Sequence, residues 1–348
     1  MRLRFYRTLL HEGEALRESD RTTGRFMGRV LLLGFLVALI AALATPALAQ
    51  TGEMRHLAVL SPSSVPMEAI RSVTLPELAK EGFVEGRNLT VDWRVGSLPD
   101  LPQLAHELIA NHPSVAIAVG GAAIRAMQSV SDTIPIVGAF IGEDPISAGF
   151  ARSLARPGGN VTGVVMLAPE LDAKRLDLLH EAVPAGSIAV LAVDLERDKP
   201  NIDATARVAA RAGFELRAFY AATPAEYPAT FEAIRRTGAA ALAIASTPEF
   251  ATNVDTLAAL ALKARLPTIC EWPWMARRGC LFSYAPIFDE LHRRTGFYVA
   301  RIFHGSPPGE LPMELPDHFE LVVNLKVARA LGFTVPQTIL ERSDRVIE

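Results

Sequence analysis

The sequence predicts an α/β protein whose parallel sheets form two lobes. Short apolar segments alternate with helical patterns along most of the 348 residues. Most of these segments are continuously apolar, which is typical of parallel strands covered on both faces. Their number exceeds what one domain of about 150 residues would hold, so we divide the chain into two lobes.

The strands are placed by these apolar segments and the helices by a different spacing. In the first lobe, strands are predicted at residues 57–60, 89–93, 115–119, 134–141 and 161–165. In the second lobe, they are predicted at residues 188–193, 216–220, 240–245, 267–270, 281–284 and 319–323. Helical spacing of apolar residues follows from Leu101 to Ile109, with the stripe i, i+3, i+4, i+7, i+8. Strand–helix alternation of this kind predicts parallel sheets.

The amino-terminal segment carries the pattern of a secretory signal. Residues 30–44 are uncharged and apolar but shorter than the ~20 residues that span a bilayer. Arginines precede them, and a small-x-small site ends at Ala49. We predict a signal peptide over residues 1–49, cleaved between Ala49 and Gln50, and hence a periplasmic protein. A start at Met27 would leave a complete signal, and an uncleaved membrane anchor is the alternative.

Composition and motifs exclude several classes of protein. A formal net charge of -3 argues against a nucleic-acid binder, and two cysteines exclude a disulfide-dense scaffold or a multi-cysteine metal site. The sequence has no G-x-S-x-G, P-loop or G-x-G-x-x-G motif, and His106-Glu107 lacks the second histidine of a zinc protease. We therefore expect a protein that is not an enzyme and that uses no metal or cofactor.

The two cysteines leave two interpretations open. Cys270 and Cys280 flank the stretch EWPW at residues 271–274. In an oxidising compartment they would close a short loop, whereas buried thiols at strand ends are the alternative.

Candidate ligand-binding residues follow the predicted strands, because ligands of doubly wound sheets bind beyond the carboxyl ends of the strands. Helix N-termini with small residues suit an anionic group, and carboxylates suit an ammonium group. The set therefore predicts a small zwitterion such as an amino acid. The alternative is that the Asp, Ser and Thr residues act only as helix caps. The candidates are Ser61, Gly121, Ala122 and Asp144 in the first lobe, and Thr247, Glu271 and Tyr284 in the second.

Several longer stretches carry a resemblance to a known family. They are EGRN at 85–88, DP at 144–145, SLARPGGNVTG at 153–163 and FELVVNLK at 319–326. Over residues 55–348 the sequence resembles ABC-transporter substrate-binding proteins of the group that includes tryptophan-binding importer components. The resemblance implies a periplasmic-binding-protein fold of type I, with two Rossmann-like lobes joined by three crossovers.

The resemblance also implies lobe boundaries. The first lobe would comprise residues 53–163 plus 286–307, and the second residues 166–285 plus 312–348. The helix at 288–303 would return to the first lobe and the strand at 319–323 to the second. Asn324 would then cap the next helix at its start, and Gly332 would follow the end of that helix.

The function implied is that of the extracytoplasmic solute-binding component of an ABC importer. We expect a monomer that closes its lobes over the ligand and delivers it to a membrane permease. The amides of Gly121 and Ala122 would bind a carboxylate, Asp144 an ammonium, and Tyr284 would cover an apolar part. An exported sensor for a receptor kinase and an enzyme on a similar fold are the alternatives. A transcriptional regulator with this fold would carry DNA-binding helices before the first lobe. The predicted signal peptide occupies that position, so we exclude a regulator.

Overall fold

Two β-sheets organise the part of the chain that the computed structural model describes, residues 54–166, 168–183 and 186–348. The predicted signal peptide lies outside these residues. Within them, no helix is long and apolar enough to span a membrane. The first lobe is the part built on a five-stranded sheet, and the second lobe is the part built on a seven-stranded sheet.

The first sheet is parallel throughout and has the strand order β2-β1-β3-β4-β5. Strand β3 at its centre is buried along its whole length, as its continuous apolar sequence requires, and so is the edge strand β5. The strands are β1 (Arg55–Ser61), β2 (Leu89–Val95), β3 (Val115–Val119), β4 (Ile136–Ile141) and β5 (Val161–Val165).

Helices follow the strands of the first sheet. A π-helical segment, Ile70–Thr74, joins the first two of them into one continuous helical stretch. The helices are α1 (Val65–Ala69), α2 (Leu75–Lys80), α3 (Leu101–Ala110) and α4 (Gly120–Gln128). Because the strands are parallel, the starts of α1 and α4 lie at the same edge of the sheet.

The second sheet has the order β12-β11-β10-β9-β8-β6-β7. All its pairs are parallel except the pair of β10 and β11. The prediction of parallel sheets is wrong for this pair, since β10 leaves the second lobe and β11 re-enters it. The strands are β6 (Ile188–Ala192), β7 (Leu216–Tyr220), β8 (Ala241–Ile244), β9 (Thr268–Cys270), β10 (Phe282–Pro286), β11 (Phe319–Asn324) and β12 (Arg345–Ile347).

Among the remaining helices, one carries both helix caps that the sequence predicts, one at each end. The Asn324 side chain accepts a hydrogen bond from Val327 N at 3.1 Å, and Gly332 has φ 66°, so both capping predictions are confirmed. The helices are α5 (Ala168–Ala182), α6 (Leu195–Arg211), α7 (Tyr227–Arg236), α8 (Pro248–Thr252), α9 (Val254–Lys263), α10 (Pro273–Arg277), α11 (Phe288–Phe303), α12 (Leu325–Leu331) and α13 (Gln337–Glu341).

The chain passes between the two sheets three times. It leaves the first sheet after β5, returns after β10 through α11, and re-enters the second sheet at β11. Helix α11 packs against β3, β4 and β5 of the first sheet. Glu314 of the third passage accepts a backbone hydrogen bond from Val165 at 2.8 Å, and its side chain pairs with Arg294. The third crossover is therefore bonded both to the end of β5, where the first crossover begins, and to α11, which follows the second.

Candidate functional site

The end of β1 carries the first predicted binding residue. Ser61 is fully buried, and its Oγ donates a hydrogen bond to Ser63 O at 2.7 Å. Ser63 N donates back to the same Oγ at 3.3 Å. The hydroxyl of Ser61 therefore shapes the turn that leads into α1.

The start of α4 is covered by a carboxylate of the protein itself. A Cβ on Gly121 would lie 1.6 Å from Glu143 Oε1, so only glycine permits this approach. Glu143 also forms an ion pair with Arg125 of α4, in which Arg125 Nη1 lies 2.8 Å from Glu143 Oε2. The predicted capture of a ligand carboxylate by the amides of Gly121 and Ala122 would require Glu143 to leave this position.

Asp144 follows β4 and is exposed. Its Oδ1 accepts a hydrogen bond from Ile146 N at 3.0 Å, and its Oδ2 accepts one from Ser147 Oγ at 2.5 Å. The bond from Ser147 is the main cause that lowers the pKa of Asp144. These are the bonds of a residue that caps the following turn, which is the alternative that the sequence left open.

A buried arginine lies at the centre of the second lobe's strand ends. Arg175 projects from α5, and its side chain is 3% exposed. Its Nε donates to the carbonyl of Tyr284 at 2.8 Å, and its Nη1 donates to Asp172 and to Ser246 Oγ, each at 2.6 Å. Its Nη2 is buried without a hydrogen-bond partner among the described residues and lies 3.8 Å from Glu271 Oε1. Arg175 thus ties α5 to the ends of β8, β9 and β10.

Glu271 follows β9 and is buried against this arginine. Burial raises its pKa to about 7, while the positive charge of Arg175 acts in the opposite direction. Burial also raises the pKa of Asp172, again opposed by Arg175. Two carboxyl groups therefore share one guanidinium: Glu271 is largely dehydrated, where a negative charge is costly, whereas the side chain of Asp172 is 36% exposed.

The remaining two candidates of the second lobe have different surroundings. Thr247 caps α8, with its side chain accepting a hydrogen bond from Phe250 N at 3.3 Å. Tyr284 lies within β10 rather than beyond its end, and its ring stacks on Phe319 at a centroid distance of 5.7 Å. Its backbone carbonyl, not its ring, contacts Arg175.

A disulfide closes the segment that follows β9. Cys270 and Cys280 are bonded, both fully buried, with their Cα atoms 6.2 Å apart. The structure thus realises the first of the two interpretations. The enclosed residues include Glu271, Trp272 and Trp274, so the bond constrains the segment that contributes most to this region.

Aromatic rings connect the two lobes. Phe140, at the end of β4, packs edge-on against Trp272 of the second lobe at 5.9 Å and stacks on Phe288 of α11 at 5.4 Å. Phe140 has φ 56°, a conformation that is strained for a bulky residue. His292 packs against both phenylalanines, and burial lowers its pKa to about 3. The group lies where the first sheet, the second sheet and the crossover helix meet.

A cavity of about 440 Å³, here called the interlobe cavity, is lined from both lobes and from the crossover helix. Glu68 and Asp289 are the acidic residues of its lining. Neither is hydrogen-bonded or ion-paired to another described residue. Arg278, which is bonded to Asp255, is its basic residue. The full lining is Val65, Glu68, Ala69, Ser72, Ala251, Thr252, Trp274, Arg278, Phe288 and Asp289.

A second cavity, of about 140 Å³, lies inside the second lobe between α5, α6 and the sheet. We call it the second-lobe cavity. Arg175, Asp172, Ser246 and Thr247 line one part of it. Apolar residues of β6, β7, β8 and the two helices line most of the rest, together with Asp198 and Thr205 of α6.

One group of side chains has the composition of a metal site. Glu290, Asp317 and His318 bring their ligand atoms within 4.8 Å of one another on the surface. His318 Nδ1 lies 3.0 Å from Glu290 Oε2, and this contact is the main cause that raises the pKa of His318. The arrangement is accounted for by an ion pair between α11 and the third crossover.

The structure divides the candidates that the sequence placed together. Thr247 lines the second-lobe cavity, and Glu271 lies beside Arg175, which lines it too. Among the described lining residues of the interlobe cavity, none of the seven candidates occurs. Sequence reasoning missed Arg175 and Trp274. Both had a signal: Arg175 belongs to the stretch Lys174-Arg175-Leu176, and Trp274 lies between the two cysteines.

Comparisons with known proteins agree with this fold. Residues 58–347 match a family described as ABC transporter substrate binding protein. A conserved domain protein from Vibrio cholerae is 26% identical with a TM-score of 0.77, covering 84% of this chain and 100% of that one. A Streptococcus pneumoniae ABC domain in complex with L-Trp is 23% identical with a TM-score of 0.75, covering 84% and 99%. The predicted type I fold is confirmed.

A curated relative has a name that states its ligand. It is the tyrosine-binding protein of Clostridioides difficile strain R20291. It is 22% identical over 259 residues, which is 73% of this chain and 74% of that protein.

Proposed function

The chain belongs to the ABC transporter substrate-binding protein family, and from this premise we propose that it is an extracytoplasmic receptor that passes an amino acid to a membrane permease. The observation that carries the proposal is the interlobe cavity, which both lobes and the crossover helix line. A ligand in such a cavity contacts both lobes only when they are close together, so its binding favours the closed arrangement.

The chemistry of the interlobe cavity suits a zwitterion. The unpaired carboxylates of Glu68 and Asp289 would bind an ammonium group, and Arg278 would bind a carboxylate. Charge-assisted hydrogen bonds of this kind contribute about 1.5–3 kcal/mol each. The rings of Trp274 and Phe288 supply apolar walls. A volume of about 440 Å³ is within the range of small-molecule sites.

Two findings support an aromatic amino acid in particular. One relative is named for tyrosine, and one structural neighbour holds L-Trp. The aromatic residues that join the lobes, Phe140, Trp272 and Phe288, lie next to the cavity through Phe288, which lines it. The acidic groups of Asp144 and Glu271 remain further proposed contacts for the ammonium.

Export and delivery complete the proposal. The signal pattern of residues 1–49 supports secretion into the periplasm, and the family supports a permease as partner. We propose that the first lobe comprises residues 53–163 plus 286–307 and the second residues 166–285 plus 312–348. We also propose that the protein is a monomer.

The test is recovery of the natural ligand. The protein is purified from the extracytoplasmic fraction without refolding, and native mass spectrometry measures the mass of any bound molecule. We expect one amino acid, chemically unaltered, and a rise in Tm when that amino acid is added back to stripped protein. Glu68→Gln with Asp289→Asn should weaken binding at least tenfold, while Glu232→Gln on the exposed face of α7 should not. A chemically converted product would favour an enzyme instead.

A further inference from the structure

The second-lobe cavity has the size and lining of a binding pocket. Its volume of about 140 Å³ is close to the ~150 Å³ of an engineered apolar cavity that binds benzene. It lies between the helices α5 and α6 and one face of the sheet. Several of its lining residues, among them Asp172, Ile202 and Leu216, are half-buried, so the cavity is partly open to solvent.

The walls of this cavity divide into an apolar part and a polar part. Leu176, Val190, Ile202 and Ala243 contribute to the apolar part. The polar part contains Arg175 and Asp172 of α5 with Ser246 and Thr247 after β8, and Asp198 and Thr205 of α6 add two further polar side chains. A group that fits both parts is a compact apolar body with a polar atom at one end.

The polar end has one unused hydrogen-bond donor. Arg175 Nη2 is buried and has no hydrogen-bond acceptor in the part of the chain that the structure describes, although the rest of the guanidinium is fully bonded. A buried donor without a partner has lost its hydrogen bonds to water and gained none in the protein. A ligand atom that accepts a hydrogen bond here is therefore favoured. The carboxyl groups of Asp172 and Glu271 lie on the same guanidinium. Their presence disfavours a further anion and favours a neutral acceptor such as a hydroxyl.

We propose that the second-lobe cavity is a binding pocket for a phenol-like group, a benzene-sized ring with a hydroxyl that accepts a hydrogen bond from Arg175. That this group is the side chain of the transported amino acid rests on the function proposed above. Thr247 lines this cavity, and Ala251 on the next turn of α8 lines the interlobe cavity. Four residues of helix rise by about 6 Å, which is within the reach of one aromatic amino acid.

The first experiment uses fragments on the full secreted chain. Isothermal titration calorimetry compares p-cresol, toluene and p-toluate. We expect p-cresol to bind at least tenfold more tightly than toluene, which has no hydroxyl, and than p-toluate, which is an anion. Absence of p-cresol binding at millimolar concentration, or equal binding of toluene, would overturn the proposal.

Variants then locate the binding. Ala243→Leu adds atoms inside the cavity, and we expect it to weaken p-cresol binding at least tenfold. Ala210→Leu makes the same addition at an exposed position of α6 and should leave binding unchanged. Ala192→Val fills less of the same cavity and serves if Ala243→Leu does not fold by circular dichroism. A folded cavity-filling variant that binds p-cresol like the native chain would contradict the assignment.

Titration with L-tyrosine separates this proposal from the preceding one. Loss of both p-cresol and L-tyrosine binding in Ala243→Leu supports the pocket and its role in recognising the amino acid. L-tyrosine binding that is equal in Ala243→Leu and the native chain would refute that role and leave the receptor function standing. Binding of p-cresol without binding of any amino acid would support the pocket and refute the proposed function.

Discussion

The strand ends of the two lobes differ in how their polar groups are used. In the first lobe, Ser61 and Asp144 bond to the turns that follow them, and Glu143 covers the start of α4. In the second lobe, Arg175 keeps a buried donor without a partner, and Glu271 is buried beside it. Satisfied groups stabilise a local turn, whereas unsatisfied buried groups favour a ligand. We infer that the strand ends of the second lobe take part in binding the ligand, whereas those of the first lobe mainly stabilise their own turns.

The largest effect is expected from breaking the buried charge network. Arg175→Met leaves Asp172 and Glu271 without their shared cation, and removing one partner of a buried ion pair costs about 3–5 kcal/mol. The free energy of unfolding, measured by urea denaturation, should fall by that order. The matched control is Arg235→Met, which removes only an exposed pair with Glu232 and should have a much smaller effect. Equal losses in the two variants would contradict the comparison between buried and exposed charges.

The pH dependence of stability should identify Glu271. Its carboxyl ionises near pH 4.5 when unfolded but near pH 7 when folded, so the folded state holds more protons between these values. Stability contributed by this group therefore falls as pH rises from about 4.5 to about 7, by about 3 kcal/mol in total.

Glu271→Gln isolates this effect. His292, whose pKa is lowered to about 3, changes stability in the opposite direction between pH 3 and 6.5. Subtracting the unfolding free energy of the Glu271→Gln variant from that of the native chain at each pH cancels the contribution of His292. A difference that stays flat from pH 4.5 to 7 would show that Glu271 titrates normally.

The disulfide should matter for the second lobe alone. Replacing Cys270 and Cys280 together with Ala opens a loop of 10 residues, and we expect a loss of about 2–3 kcal/mol in unfolding free energy. Hydrogen exchange should then accelerate in α10 and leave α4 of the first lobe unchanged. Acceleration that is equal in both lobes would argue against a local role for this bond.

The smallest effect is expected at the end of β4. Asp144→Ala removes an exposed turn cap, so stability should fall slightly. If Asp144 only caps its own turn, the Kd measured by calorimetry should change less in Asp144→Ala than in Glu271→Gln. A larger loss of affinity in Asp144→Ala would restore Asp144 as the main partner of the ammonium and reverse the comparison.

The sequence predicted the fold far better than the site. Continuous apolar segments located most strands closely; β3, β5 and β7 match residue for residue. The strand β12 was missed because Arg345–Ile347 is short, largely exposed and at the sheet edge. The antiparallel pairing of β10 and β11 depends on the crossovers, which no local pattern encodes.

The site was harder to predict because it depends on tertiary contacts. Asp144 and Glu271 look alike in sequence, as acidic residues after strands, yet one is exposed and capped and the other is buried beside Arg175. The contact between Glu143 and Gly121 joins the loop after β4 to the start of α4. The sequence of neither segment predicts this contact by itself. The residues that line the interlobe cavity come from α1, α8, α10 and α11. Their convergence follows only from the arrangement of both lobes.

Hydrogen–deuterium exchange with and without saturating L-tyrosine tests the central claim most directly, since it reports where the ligand acts on both lobes at once. The account predicts slower exchange at residues 245–253 and 271–279 of the second lobe and at residues 61–72 of the first. Protection should be strongest in the second lobe, where the buried groups are. If calorimetry shows that L-tyrosine saturates the protein but exchange in all three segments is unchanged, the proposed binding across both lobes is contradicted.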